Sequence, residues 1–277
     1  MNYPNRTEIA DLILTSLKDN EDALKKHFTA SRDAIGFFYL DNVLPDELAN
    51  KIFSCFPSKE EVHLKKSIRE FKYVAAQMDK YHPLLEEVTY AFQDKRIVEV
   101  ISNICNYNDI QPDKNLYAGG ISMMGKDNYL NPHLDNSHDK DRKLWRVLNL
   151  LYYVTPAWEI DHGGNLELWP NGIKDNPITV ESRFNRLAVM ATHKKSWHSV
   201  SKVSVSKIRC CVSNYYFSEK PVDSAKTFHV TTFRGRPDQR FKNRILKIDS
   251  SLRMGLRKLF KKGVKENPHV YKKKDND

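Results

Sequence analysis

The sequence lacks the features that mark membrane-spanning or secreted proteins. None of its apolar runs approaches the roughly 18–20 residues that cross a bilayer. Acidic residues interrupt the apolar positions of its N-terminal segment, unlike a secretory signal. Its four cysteines, Cys55, Cys105, Cys210 and Cys211, show no paired spacing typical of a disulfide framework or a zinc site. Cys210 and Cys211 lie inside an apolar run, which favours buried free thiols. These absences predict a reduced, cytoplasmic protein.

The positive charge is not accompanied by any nucleic-acid-binding motif. No zinc finger, RNA-binding aromatic motif or Gly-rich phosphate loop is present. Residues 226–277 hold 16 Lys/Arg and five Asp/Glu, a net charge of +11, whereas the whole chain carries +10, which leaves −1 for the 225 residues before them. Such a segment can bind nucleic acid, anionic lipid or acidic polysaccharide. A solvated helix packed on the core is the favoured interpretation, and a binding module for anionic partners is the alternative.

The periodicity of apolar residues changes along the chain. Residues 7–28 have the three- and four-residue spacing of an amphipathic helix. A strand is predicted within residues 33–44, a helix over 45–53 and two helical pieces over 83–107. Beyond these, short apolar runs alternate with turn residues, which indicates a β-sandwich or barrel. In the basic segment, Leu252, Leu256 and Leu259 predict a helix beginning near Arg240, and residues 265–277 are expected to be loosely structured.

One short segment carries potential metal ligands. In Asn131-Pro132-His133-Leu134-Asp135-Asn136, His133 and Asp135 are two residues apart, so on a strand their side chains point to the same face. His198 supplies a second imidazole far downstream. Two histidines and one carboxylate with open coordination positions are typical of non-haem Fe(II) oxygenases. The same ligand set also suits a zinc hydrolase or a non-redox metal-binding protein.

The order of the strand-like segments resembles the prolyl 4-hydroxylase-like branch of the Fe(II)/2-oxoglutarate dioxygenases. The segments are NPHLDN, RVLNLLYYVTPAW, GGNLELWPNG, FNRLAVMAT, SWHSVSKV and IRCCVSNYYF, and the resemblance extends from about residue 34 to 218. It implies an α+β, mainly β fold with a double-stranded β-helix (jelly-roll) core, N-terminal supporting helices and a basic C-terminal helical tail. The expected divisions are an oxygenase domain over 1–225, with a helical lead-in (1–110) and a core (111–225), and a basic extension over 226–277.

The resemblance implies that His133, Asp135 and His198 are the catalytic iron ligands. The expected reaction hydroxylates an unactivated C–H bond, consumes O2 and 2-oxoglutarate and releases succinate and CO2. In related enzymes L-ascorbate keeps the iron reduced. Asp135 stands where the related halogenases have a small residue, which favours hydroxylation. The substrate is not identified: a small molecule or a peptidyl residue is expected, and an anionic or carrier-linked one remains open.

The resemblance also predicts residues that bind 2-oxoglutarate. Arg209 is expected to bind its C5 carboxylate, because a guanidinium can donate two charge-assisted hydrogen bonds to a carboxylate. Lys207 has the same strand parity and is the competing candidate. Tyr153 is expected to bind the same carboxylate, Ser213 to lie near the co-substrate and Leu166 to line its aliphatic part. Some relatives have a tyrosine where Met123 and Met124 stand here, which puts contacts on that side in doubt.

Overall fold

The computed structural model describes residues 3–222, 228–259 and 270–271. The helices are α1 (Arg6–Asp19), α2 (Glu21–Ser31), α3 (Asp46–Ser54), α4 (Pro83–Ala91), α5 (Lys95–Cys105) and α6 (Arg240–Leu259). The strands are β1 (Phe37–Leu40), β2 (His63–Lys66), β3 (Glu70–Ala75), β4 (Ile110–Pro112), β5 (Gly120–Met124), β6 (Tyr129–Leu134), β7 (Trp145–Tyr153), β8 (Leu166–Leu168), β9 (Ile178–Val180), β10 (Arg186–Ala191), β11 (His198–Val200), β12 (Arg209–Ser218) and β13 (Thr232–Phe233).

The strands form a mainly antiparallel sheet that curls into a nearly closed jelly-roll. Their order is β1-β10-β7-β12-β5-β3-β6-β11-β8-β9, with β13 beside β6, β2 beside β3 and β4 beside β12. Large side chains of β7 and β12, such as Tyr152 and Tyr216, are fully buried against the helices. The predicted fold class is therefore confirmed. Within the described residues, no helix is both long and apolar enough to cross a bilayer.

The N-terminal helices support the sheet from outside. Asn5 starts α1 because its side chain accepts the backbone N–H groups of Thr7 and Glu8, while the Glu8 carboxylate accepts the N–H of Asn5. The prediction of one helix over 7–28 is wrong, because α1 ends at Asn20 and α2 begins after it. Asparagine favours such ends, since its side chain competes for backbone hydrogen bonds; here the Asn20 amide donates to the carbonyl of Ser16.

The prediction of two helical pieces over 83–107 is confirmed. The chain turns between α4 and α5, and the Asp94 carboxylate caps α5 by accepting the N–H of Arg96. Both helices pack on the sheet, where Asn214 of β12 donates to the carbonyl of Thr89, 3.2 Å away. Cys105, Cys210 and Cys211 are buried free thiols, as the sequence predicted for the last two.

The basic segment contributes a strand and a helix to the fold. Strand β13 pairs with β6 and places Phe233 opposite His133. Helix α6 begins at Arg240, as predicted, but Leu246 is its fully buried leucine. Leu252 and Leu256, two of the three leucines whose spacing predicted the helix, are 64% and 49% exposed. The predicted contribution of Leu259 and most of the loose segment predicted over 265–277 lie outside the described side chains.

Candidate metal centre and co-substrate pocket

The three potential metal ligands converge because β6 and β11 are neighbours. His133 on β6 is directly opposite His198 on β11, and Asp135 follows the end of β6. Their ligand atoms all lie within 4.8 Å of one another, and all three residues are buried. The Asp135 carboxylate lies between the rings, with Oδ1 3.6 Å from Nε2 of His133 and Oδ2 3.7 Å from Nε2 of His198.

Backbone carbonyls fix the tautomer of both imidazoles. Nδ1 of His133 lies 3.0 Å from the carbonyl oxygen of Asn131, and Nδ1 of His198 lies 2.9 Å from that of Ser196. A carbonyl only accepts, so each Nδ1 carries the proton and each Nε2 keeps a lone pair for a metal. Burial, followed by the charge of His133, lowers the pKa of His198 to about 4, so this ring is neutral at neutral pH, as metal binding requires.

The carboxylate of Asp135 is ionised and incompletely hydrogen-bonded. Burial raises its pKa, but the facing imidazoles of His133 and His198 and the guanidinium of Arg146 together hold the pKa well below its usual range. Its buried Oδ2 has no hydrogen-bond partner among the described residues. A buried carboxylate oxygen without a partner is costly, and a cation between the three side chains would remove that cost. The donor set therefore fits a divalent metal ion, with iron as the natural choice.

A cavity of about 350 Å³ opens beside this cluster. Its lining includes the three potential ligands and all four residues predicted to bind the co-substrate: Tyr153, Leu166, Arg209 and Ser213. Lys207, the competitor of Arg209, does not line it; Lys207 is exposed and its Nζ is 3.4 Å from the carbonyl of Ala157. The arrangement brings Arg209, and not Lys207, into the cavity of the metal cluster.

Arg209 and Tyr153 lack strong acceptors inside this cavity. Arg209 is 4% exposed, its Nη2 is 3.0 Å from the thioether of Met124, and its Nε has no partner among the described residues. The Tyr153 hydroxyl is also buried without a partner there, and burial raises its pKa, so it keeps its proton. Both groups donate hydrogen bonds, and a carboxylate is the acceptor that would satisfy them. Gly164 leaves room for the arginine, since a Cβ there would come 3.1 Å from Cδ of Arg209.

Several cavity residues escaped prediction from the sequence. Asn149 lines the cavity on the same face of β7 as Tyr153, and Tyr215 on the same face of β12 as Arg209, so strand parity was a usable signal for both. Arg146 has the opposite parity to Asn149, yet it also lines the cavity. The register between β7 and β12 shifts at this end of the strands, and such an irregularity turns side chains to the other face.

The basic segment forms one wall of the site. The ring of Phe233 stacks on His133, with centroids 5.1 Å apart and an interplanar angle of 17°. Behind His198, the hydroxyl of Ser199 donates to Glu167, at 2.6 Å, and Glu167 accepts from Arg236 at 2.6 Å. Nothing in the sequence pattern indicated these contacts, because they join segments far apart in the chain.

Comparisons with known proteins bear on this geometry. Residues 119–217 match the family model of the 2OG-Fe(II) oxygenase superfamily. Among curated proteins, none matches the chain. An oxidoreductase of the 2OG-Fe(II) oxygenase family from Burkholderia pseudomallei has a TM-score of 0.51 at 16% identity, covering 72% of this chain and 92% of that one. The non-haem α-ketoglutarate-dependent epimerase SnoN from nogalamycin biosynthesis has a TM-score of 0.50 at 12% identity, covering 71% of this chain and 84% of that one.

A third solved structure is a prolyl hydroxylase from Trichoplax adhaerens, in complex with a peptide fragment of the hypoxia inducible factor oxygen degradation domain. Its TM-score is 0.48 at 16% identity, covering 73% of this chain and 92% of that one. At their identities, the likenesses to the Burkholderia pseudomallei oxidoreductase and to SnoN show a shared fold alone. The family match covers the strands that carry all three potential metal ligands and Arg209.

Proposed function

We propose that this protein is a 2OG-Fe(II)-dependent dioxygenase that hydroxylates an unactivated C–H bond, because residues 119–217 match the 2OG-Fe(II) oxygenase superfamily. Substrate–H, O2 and 2-oxoglutarate would give substrate–OH, succinate and CO2. The observation that carries the proposal is the position of Arg209 and Tyr153, two buried donors that lack strong acceptors, in the same cavity as the ligand cluster.

The residues of the cavity have separate roles in this proposal. His133, Asp135 and His198 would hold Fe(II) and leave the remaining coordination positions free. Bound there, the iron would supply the redox chemistry that couples 2-oxoglutarate decarboxylation to oxygen insertion. The protein itself positions the reactants and excludes water from the site.

The co-substrate would be fixed at its far end by Arg209 and Tyr153. The guanidinium and the phenol would donate hydrogen bonds to the C5 carboxylate, while Leu166 and Ser213 lie alongside. Ascorbate is expected to sustain turnover by keeping the iron reduced, as it does in related enzymes. A zinc hydrolase using the same three ligands would have no use for the buried Arg209–Tyr153 pair.

Asp135 favours hydroxylation over halogenation. Its carboxylate occupies the position between the two imidazoles, where a small side chain would leave room for a halide ligand. With Asp135 present, the three side chains would hold the metal ion and leave its other positions to 2-oxoglutarate and O2. The oxygen atom is therefore the group expected to be transferred to the substrate.

The test is succinate formation from 2-oxoglutarate by the purified protein. We expect succinate formation with Fe(II) and not with Zn(II). We expect Asp135→Ala to lower succinate formation by at least about a hundredfold, because losing a metal ligand weakens the site more than losing a residue that only supports a ligand. The control is Asp141→Asn, which changes an exposed carboxylate of the loop that follows. Turnover of 2-oxoglutarate that is equal with Zn(II), or that survives Asp135→Ala, would refute the proposed function.

A further inference from the structure

Four cations from the β2–β3 hairpin and from α6 line one part of the cavity, which we call its entrance. Lys65 comes from β2, Lys72 from β3, Arg69 from the turn between them and Arg253 from α6. The same cavity reaches the metal cluster at its inner end. These four residues are distinct from Arg209, which lies at the co-substrate end, and from Asp135 and its neighbour Arg146. We name Lys65, Arg69, Lys72 and Arg253 the entrance cluster.

The carboxylates beside the entrance cluster are too few to neutralise it. Glu70 pairs with Lys72 at 3.1 Å. Asp249 binds both Arg69 and Arg253, the latter at 3.0 Å. Lys65 makes no ion pair or hydrogen bond among the described residues, although its side chain is partly buried. The four cations therefore face two carboxylates, and the entrance keeps an excess of positive charge.

The hairpin places two of these cations in direct opposition. In the register of β2 and β3, Lys65 is paired with Lys72. Like charges at directly opposite positions destabilise a strand pair. Burial and then the charge of Lys72 lower the pKa of Lys65, and the charge of Glu70 offsets part of this effect. An anion between the two ammonium groups would turn a destabilising pair into a binding site.

Arg253 of α6 shows a similar pattern beside the hairpin, since its partner Asp249 also pairs with Arg69. Its Nε donates to Asp249, but its buried Nη2 has no hydrogen-bond partner among the described residues. Burial and then the charge of Arg69 lower the pKa of Arg253. A guanidinium with a buried unused donor is costly unless a ligand supplies the acceptor.

The entrance cluster is close enough to the metal cluster for one molecule to reach both. Arg253 lies over the ring of Phe233, at 5.9 Å, and Phe233 stacks on His133. On the other side, Glu70 is opposite Leu130, three residues before His133 on the same strand. At about 3.3 Å per residue, this is a separation of about 10 Å, within the length of a small metabolite or one end of a larger one.

We propose that the substrate carries an anionic group, a carboxylate or a phosphate, that Lys65, Lys72 and Arg253 bind while its reacting C–H bond lies at the metal cluster. This inference rests on the proposed function, because it names the substrate class for the same site. The anionic group binds where the hairpin meets α6, and Lys65, which forms no ion pair or hydrogen bond among the described residues, contributes most to its binding.

The test measures anion binding by the holoenzyme, loaded anaerobically with Mn(II) and saturated with 2-oxoglutarate so that Arg209 is occupied. The probes are methyl phosphate and acetate, which separate the two anion sources, with sodium chloride at equal ionic strength as reference. We expect calorimetry to show saturable binding of at least one probe, weakened at least about tenfold by Lys65→Met and by Arg253→Met, since a charged hydrogen bond is lost.

The matched control is Lys66→Met, which removes the exposed neighbouring lysine on the other face of β2 and should bind as the wild type does. Lys65→Met should also fold normally, because it removes a repulsive pair and breaks no ion pair. Binding no stronger than that of chloride, or equal binding by wild type and Lys65→Met, would overturn the inference. Fe(II)-dependent succinate formation by the wild type is measured separately. A failure of the proposed function can therefore be distinguished from a failure of the anion-binding inference.

Discussion

At the scale of single residues, the proposed role of Arg209 predicts a link between the stability of the protein and its co-substrate. Its guanidinium is buried, with a thioether as its nearest acceptor and the Tyr153 hydroxyl equally unsatisfied. A buried cation without a counter-ion lowers stability, and an apolar side chain of similar size often costs less. The proposed binding of a carboxylate would explain why this position is an arginine, since the ligand-free fold gains little from it.

Replacing Arg209 with Met is expected to raise the KM for 2-oxoglutarate by about tenfold to a hundredfold, because charged hydrogen bonds contribute about 1.5–3 kcal/mol. The stability of the ligand-free protein should stay equal or rise. Steady-state kinetics and thermal unfolding measure the two effects. Lys207→Met is the matched control, since Lys207 is exposed and outside the cavity, and it should keep the wild-type KM. A raised KM in Lys207→Met alone would assign the carboxylate to Lys207.

Strand parity explains which site residues the sequence could indicate. His133 and Asp135 share a face by their spacing, and the parity of Arg209 with Tyr215 follows the same rule. Arg146 could not be found in this way, because the register shift between β7 and β12 reverses its direction. The pairing of His133 with His198 also came from family resemblance, since no local pattern fixes which distant strands become neighbours.

At the scale of elements, the β2–β3 hairpin was the largest omission. Its sequence is rich in charged residues, so no apolar run marked it, and Glu70 and Lys72 point into the cavity instead of a core. Alternating Phe71 and Tyr73 were the available signal. For α6, the sequence located the helix but not its buried face, because its apolar stripe stays exposed.

The ion pair between Arg236 and Glu167 is predicted to hold the C-terminal segment against the sheet. Arg236→Met leaves Glu167, only 11% exposed, without its cation, which should lower the free energy of unfolding by about 2–4 kcal/mol. Adding Glu167→Gln should restore most of this loss. Urea denaturation is the measurement, and Lys202→Met is the control, because its ion pair with Asp127 is exposed and should contribute nothing measurable. Equal effects of Arg236→Met and Lys202→Met would contradict this role.

The attachment of α6 to the hairpin is predicted to weaken in acid. Burial raises the pKa of Asp249, but the hydrogen bond from Arg69 and the charges of Arg253 and Arg69 outweigh it, so its pKa is lowered. A carboxyl with a lowered pKa stabilises the fold above its unfolded value of about 3.9, and that contribution is lost as pH falls through the folded pKa.

Asp249→Asn should therefore lower the free energy of unfolding by about 1–2 kcal/mol at pH 7 and pH 5. The difference from the wild type should shrink below about pH 4. Urea denaturation at each pH gives the two curves. Asp141→Asn, on an exposed loop, serves as the control, and its free energy of unfolding should follow that of the wild type at every pH. A difference between Asp249→Asn and wild type that grows on acidification would have the wrong sign and would exclude a stabilising ion pair.

At the scale of the whole molecule, the basic segment completes the oxygenase site. Composition alone divided the chain into a nearly neutral part and a segment of net charge +11. In the structure, Arg236 and Arg253 of that segment are paired with carboxylates beside the cavity, and Phe233 lies on a metal-ligand candidate. The net charge of a segment bears on solubility and on the choice of binding partners, but it does not indicate which residues of the segment pack against the rest of the fold. Contacts between residues far apart in the chain are the hardest to predict from a single sequence, because no local pattern indicates them.

Two leucines of α6 separate its packing face from its exposed face. Leu246 is fully buried in a cluster with Met124 and Phe233, whereas Leu252 is 64% exposed. Leu246→Ala should lower the free energy of unfolding by about 2–5 kcal/mol through the cavity it leaves. It should also lower succinate formation, because Phe233 loses support against His133. Leu252→Ala should change stability by less than about 0.5 kcal/mol. Urea denaturation and turnover compare the pair, and a larger effect at Leu252 would mean that α6 docks by its other face.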